Sequence, residues 1–459
     1  VPMVQKAAFG AGHLVNNLLP GSLGIFMFFL LTAFGMDPFL AGLLGGLPRL
    51  YDAITDPIMG FISDNTKSRF GRRRPYIFAG AILSGVLFAV LWQLYPHNSQ
   101  MYNFWYFLIF SLVYLTGNTI FSTPLIGLGY EMSSDYNERT RLMAFSQTVG
   151  QVAWMIVPWF WVLIANPNLF ETQAIGVRRL SVVVGAICIV LGVLPAIFCR
   201  GIDSSKMENR KEITFKTLLS NLKDLIRGIG LVFKNKPFVK LCAATFLVFN
   251  GFQLVASFSY FIIVFYLFKG DYGLTGNWPA WFSTVSAVTT AFLVIPVISA
   301  IANKVGKRNA FLISTAISIV GYALKWWGFN PENPWLMFMP LPLMAFGIGG
   351  LFTLMMSMTA DVCDLDELSN GMPRKEGTFG AIYWWMVKLG QALALVLGGL
   401  VLKLVGFDQN LAVQAAETIT RLRIADIAIP ALTATIAIIV MWKYDLTEEK
   451  AREIKAELE

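Results

Sequence analysis

Three ionisable side chains stand where apolar residues surround them: Arg49, Asp52 and Asp56 in RLYDAITDPIMG, residues 49–60, with FLAGLLGGLP before them and GFI after. Asp52 and Asp56 are four apart, so on a helix they share one face, with Thr55 beside them and Arg49 one turn away. Two carboxylates and a hydroxyl on one face suit oxygen ligation of a hard monovalent cation such as Na+, or a proton held jointly because like charges resist ionising together. An Arg49–Asp52 ion pair would account for one aspartate and leave Asp56 uncompensated. The cation site is therefore the expected reading, with Arg49 coupled to it. Enzyme chemistry finds little purchase: the histidines are His13 and His97, and no G-x-S-x-G or H-E-x-x-H run is present. Cys188, Cys199, Cys242 and Cys363 are scattered without metal-ligand spacing, so neither a disulfide framework nor a zinc site is expected, and no cofactor other than a coupling ion.

The elements that must position these residues follow from composition. Of 459 residues 56% are hydrophobic and 14% charged, with 37 Phe, 13 Trp and 14 Tyr, where soluble domains carry about 25% charged residues. The chain reads as an all-α polytopic membrane protein. Twelve spans are predicted near 11–34, 38–62, 75–95, 104–130, 142–165, 178–200, 237–268, 277–303, 309–328, 334–360, 377–405 and 422–443. The one long polar connector, GIDSSKMENRKEITFKTLLSNLKDLIRGIGLVFKNK, divides them six and six. The predicted organisation is a six-helix bundle over 1–200, a connector over 201–236, a second six-helix bundle over 237–443 and a tail over 444–459. No cleavable signal peptide is expected, because the first apolar segment runs into others without a small-residue cleavage site. Basic residues gather in the loops after spans two, four and eight, which places both termini on the cytoplasmic side of the cell inner (plasma) membrane. Arg178, Arg179, Arg421 and Arg423 fall on the opposite side and break the rule. The net charge of +8 is then a topology signal and an attraction to membrane lipid, with no nucleic-acid partner expected and a monomer the expected state. Span two should end near Asp64, which puts Asp56 and Asp52 roughly 12 to 18 Å inside the bilayer, where charged residues mark ion or solute paths.

The loop GFISDNTKSRFGRRRP after span two has a shorter echo, SAIANKVGKRNA, after span eight. Asp64 with Arg72, Arg73 and Arg74 can form a cytoplasmic charge network that acts as a gate. The signature resembles that of the major facilitator superfamily, which implies that fold: 12 transmembrane helices in two six-helix bundles. Arg141 belongs to the corresponding inside loop after span four. The acid-rich DVCDLDELSNGMPRKEG reads as a solvated loop with Asp361, Asp364, Arg374 and Glu376 in gating ion pairs.

RLYDAITDPIMGFISDNTKSRFGRRRP, NTIFSTPLIGLGYEMSSDYNERTRL and TADVCDLDELSNGMPRKEGTFGAIYWWMVKLGQA, in that order, resemble motifs of the glycoside-pentoside-hexuronide:cation symporter family. The resemblance implies an alternating-access importer coupled to Na+ or H+, its cation held by Asp52, Asp56, Thr55 and Thr119. It also implies a coupling lysine at Lys388 reaching toward the aspartates. Thr55 stands where the family's melibiose carriers have Asn, which leaves sodium, lithium and proton open. At the family's galactoside-binding places this chain has Asn17 (or Asn16), Ser122, Ile126 and Gln147, so every charge of that pattern is gone. Neutral hydroxyl-binding groups remain, and Trp154, Asn250, Gln253, Tyr383, Trp384 and Trp385 can complete a pocket by stacking and amide hydrogen bonds. The expected solute is a small carbohydrate or glycoside. The alternative is an amphiphilic or anionic one, lysolipid-like or an acidic or sulfonated sugar.

Overall fold

A computed structural model describes residues 1–133, 136–201, 204–205, 210–370 and 376–458. Among the described residues every regular element is a helix. Eleven helices among the described residues are long and apolar enough to cross a membrane. The helix Pro38–Asp64, interrupted by Arg49, Asp52 and Asp56, is the twelfth, and its 27 residues span about 40 Å at 1.5 Å per residue. The chain is a multi-pass membrane protein.

Several boundaries differ from expectation by about five residues, as where spans five, six and twelve begin, and two differ by more. Span one begins at Met3, well before residue 11, because nothing in VQKAAFGAGH breaks a helix. Span ten runs from Leu341 to Asn370, so the acidic stretch expected as a solvated loop is helical up to the Gly371-Met372-Pro373 breaker. Residues 371–375, Arg374 among them, lie outside the described residues, as does the Glu376 side chain. Helix starts obey local chemistry. Asp37 caps span two by accepting from Phe39 N at 3.1 Å and Leu40 N at 3.3 Å, with Pro38 in the first turn. Ser99 caps span four through Tyr102 N at 3.2 Å.

The chain divides into two compact units, Val1–Lys223 and Asp224–Glu459, the division falling inside the connector helix Phe215–Val232. In the first unit span one packs on span five, two on four, three on four and three on six. The second unit repeats this: span seven packs on eleven, eight on ten, nine on ten and nine on twelve. Within the first unit, spans one, two, four and five each carry an interior proline, at Pro20, Pro48, Pro57, Pro124 and Pro158, whereas the helical bodies of spans three and six, Arg74–Leu91 and Gln173–Gly192, carry none.

Two of the basic residues that break the topology rule have a structural account. Arg178 of span six donates to Leu94 O at 2.9 Å, just past span three, and lies 4.2 Å over the Tyr95 ring. Arg423 of span twelve donates to Trp326 O at 2.5 Å, near the end of span nine, and lies 4.2 Å over the rings of both Trp326 and Tyr266. In each unit the sixth helix thus caps the carbonyl end of the third with a guanidinium held by aromatic faces. Arg421 makes an exposed contact with Glu417 at 3.7 Å. Nothing in the structure explains Arg179.

Candidate functional site

Spans two and four lie side by side and meet along a row of hydroxyls. Tyr51 Oη is 2.8 Å from Thr116 Oγ1. One turn on, Thr119 Oγ1 donates toward Asp52 Oδ1 at 3.0 Å and Asp56 Oδ1 at 3.2 Å, and sits 3.4 Å from Thr55 Oγ1. Thr55 spends its own proton on Asp52 O at 3.1 Å. The four residues expected to hold a cation are therefore brought together, with Asp52 only 7% exposed and Asp56 half-buried.

The geometry has a proton count. The Thr119 hydroxyl carries one hydrogen and can serve one carboxylate at a time. Two carboxylates converging on it repel each other in a low-dielectric setting, and a positive species beside them, whether a proton, a monovalent cation or a basic side chain, offsets that repulsion. Oxygen atoms from two carboxylates and two hydroxyls form the hard-ligand set that an alkali cation takes. Arg49, one turn before Asp52, is half-buried.

The expected solute residues of the first unit fall on neighbouring faces. Asn17 of span one lies against Gly150 of span five: a Cβ there would come within 2.6 Å of Asn17 Nδ2. One turn on, Trp154 stands beside Gly21 and is 44% exposed. Asn16 and Ser122 are half-buried, and Ile126, on the Thr119 side of span four, is 44% exposed. The side chains of Gln147 and Arg141 lie outside the described residues. His13, one turn below Asn17, is buried edge-on to Phe9 at 4.7 Å between ring centres.

In the second unit, Tyr383 is wholly buried in the core, its hydroxyl 3.4 Å from Thr245 Oγ1. Trp384 is 48% exposed and stacks on Phe352. Gln253, Trp385 and Lys388 are half-buried. Asn250 is buried, donates from Nδ2 to Phe246 O at 3.0 Å, and has no partner for Oδ1 among the described residues.

The loop charges form one network where spans two and four end. Arg73 donates to Asp64 Oδ1 at 2.5 Å, to Glu131 Oε1 at 2.8 Å and to Ser63 Oγ at 3.1 Å. Arg72 reaches the same Glu131 oxygen at 2.5 Å and Asp64 O at 3.2 Å. Gly127 of span four makes this feasible, since a Cβ there would overlap the Arg73 guanidinium. Arg74 stands apart and caps Ala196 O at 2.7 Å and Ile197 O at 3.2 Å at the end of span six. The second unit carries the counterpart: Lys307, in the echo loop, pairs with Asp361 of span ten at 2.8 Å, and Asp364 lines a cavity of about 160 Å³ beside them.

Sequence reasoning missed Glu131, although an acid at the end of span four opposite three arginines was a readable signal. It also missed Lys325 of span nine and Asp426 of span twelve, a pair 2.9 Å apart with 0% and 1% side-chain exposure.

Two units of six long helices each, with no strand among the described residues, define a helical membrane protein, and the family its sequence matches is one of transporters. The chain belongs to the MFS/sugar transport protein family, whose sequence model matches residues 8–448. It is 26% identical to the glucuronide carrier protein homolog of Escherichia coli (strain K12), the alignment covering 98% of this chain and 94% of that one. It is 24% identical to the sodium-dependent lysophosphatidylcholine symporter 1 of Gallus gallus, over 99% and 89% of the two chains. Its fold matches that of a bacterial homolog of the human lysosomal transporter Spinster in an inward-facing, unoccupied conformation, with a TM-score of 0.70 and 15% identity over 100% of this chain and 99% of that one. The fold is that of the major facilitator superfamily.

Proposed function

We propose that the protein is a cation-coupled symporter that imports a small carbohydrate or glycoside by alternating access. The coupling ion, Na+ or H+, is held by Asp52, Asp56, Thr55 and Thr119. The carrying observation is the single Thr119 hydroxyl between two carboxylates of span two. Lys388 and Arg49 act with this site, and Asn17, Asn16, Ser122, Gln147 and Trp154 of the first unit, with Gln253 and Trp384 of the second, form the solute side. Asp64, Arg72, Arg73 and Glu131, and in the second unit Lys307 with Asp361, act as the inner gate. Both termini face the cytoplasm, and the protein works as a monomer in the plasma membrane.

A second reading, an amphiphilic solute, draws on the exposed apolar side chains of Ile126, Trp154 and Trp384 and on the likeness to a lysophosphatidylcholine symporter. Proteoliposomes loaded with an imposed sodium or proton gradient test both, with labelled sugars and a labelled lysolipid offered side by side. Accumulation of a sugar that is lost in the Asp52→Asn, Asp56→Asn double variant is the expected result. Uphill uptake by that variant sinks the proposed coupling site, and lysolipid accumulation alone decides for the second reading.

A further inference from the structure

The connector helix Phe215–Val232 has two faces that transport does not use. At about 100° per residue, Phe215, Leu218, Leu219, Leu222, Ile226 and Ile229 fall within an arc of about 100°. Phe215 is 78% exposed, Leu219 43% and Ile226 66%, so these three leave part of the arc open, while Ile229 packs against the core of the second unit. Lys216, Lys223 and Arg227, all exposed, recur at intervals of seven and four and form a stripe along one edge of that arc. Asp224, the helix's one acid, points away from the arc by about half a turn.

The helix is tied to the level of the membrane surface at both ends. Beyond its last residue, three residues lead to Lys236, where span seven begins. Ahead of it, Ser204 accepts from Ser68 N at 3.0 Å and donates to Thr66 O at 2.8 Å. Arg210 donates to Asn65 O at 3.1 Å, and Lys211 N to Asn65 Oδ1 at 2.9 Å. These partners lie just past the end of span two. A helix held there, apolar on one side with cations along the edge, complements a bilayer surface that offers acyl chains beneath a layer of phosphates.

We propose that the connector helix is a docking surface for anionic phospholipid, its apolar arc set among the acyl chains and Lys216, Lys223 and Arg227 on the headgroup phosphates. The test uses the full chain in vesicles, with an environment-sensitive fluorophore on Ile226→Cys; the native cysteines are buried. Quenching by nitroxide lipid is compared in phosphatidylcholine and in phosphatidylcholine with phosphatidylglycerol. The expected result is strong quenching in the anionic vesicles. The Lys216→Gln, Lys223→Gln, Arg227→Gln variant should shift the equilibrium toward water by about a hundredfold, roughly fivefold per basic residue. Equal quenching in both lipids and in the variant overturns lipid-charge recognition. A probe open to aqueous iodide in every vesicle overturns docking altogether. Shielding that rises with protein-to-lipid ratio without lipid quenching assigns the face to a second copy of the chain instead.

Discussion

At the scale of single residues the decisive atom is Thr119 Oγ1, 3.0 Å and 3.2 Å from the two carboxylates. Thr119→Val keeps the shape and removes a hydroxyl that both aspartates share, so cation affinity should fall by one to two decades, the equivalent of about 1–3 kcal/mol. Thr119→Ser should retain most of it. Cation titrations followed by tryptophan fluorescence provide the measurement, and a valine variant that titrates like the parent would remove Thr119 from the site. Gly127→Ala is the corresponding probe of the gate, because the added methyl displaces the Arg73 guanidinium from Glu131 and Asp64. Exchange rates should change more than solute affinity; a variant altered in affinity alone would show that the network serves binding. The aspartates were legible from the sequence because a charge in an apolar run is conspicuous. Thr119 was reached only by resemblance, since a threonine in a span has many ordinary uses, and its value lies in a contact with residues 63 and 67 positions away.

Among the elements, spans nine and twelve carry the least expected interaction. Lys325 Nζ is 2.9 Å from Asp426 Oδ2 and donates to Asp426 O at 2.8 Å, with both side chains buried. Removing one partner leaves an uncompensated buried charge, so Lys325→Met or Asp426→Leu alone should cost about 3–5 kcal/mol, while the double variant should recover most of that loss. Thermal unfolding in detergent would read this as a lowered Tm in each single variant and a near-parental one in the pair. If the double variant is as unstable as either single one, the pair is not what holds these helices together. The rule that found Asp52 applies equally to Lys325 in YALKWWG and Asp426 in IADIAIP. The aromatic and basic residues around them gave the look of a helix end, and so concealed the pair. Span ten was misjudged for a related reason: its acidic last turns look like a loop, but acids such as those of DVCDLDEL do not break a helix, whereas the Gly and Pro that follow do.

For the whole molecule, the two units repeat more than the sequence let on. The echo of GRRRP in GKRNA was visible, but the pairing of each loop with an acid of the fourth helix, Arg72 and Arg73 with Glu131 and Lys307 with Asp361, was not. Neither was the guanidinium cap from each sixth helix to each third. Such partners are set by which helices pack together, and that information is spread over the whole chain. Joint binding also belongs to this scale. If the cation and the solute are carried by one alternating mechanism, each should tighten the other's binding by the same factor. Calorimetry of the cation with and without solute, and of the solute with and without cation, should return equal ratios; unequal ratios would mean that the two ligands do not share one conformational equilibrium.

The prolines of the first unit have a last consequence, which concerns water. Each proline lacks the N–H that would satisfy the carbonyl four residues earlier. Pro20, Pro48, Pro57, Pro124 and Pro158 therefore deprive Asn16, Leu44, Ala53, Ile120 and Trp154 of their usual helical donor. Bare carbonyls are costly in hydrocarbon. Four of the five lie on or beside candidate site residues, since Ala53 is next to Asp52, Ile120 follows Thr119, and Asn16 and Trp154 are themselves candidates. The first unit thus holds a thread of oxygen acceptors along these four helices that calls for internal hydration. Under the proposed function, a cation or a solute hydroxyl arriving there would exchange places with water, and radiolytic footprinting should label the helix turns around these carbonyls even in protein without solute.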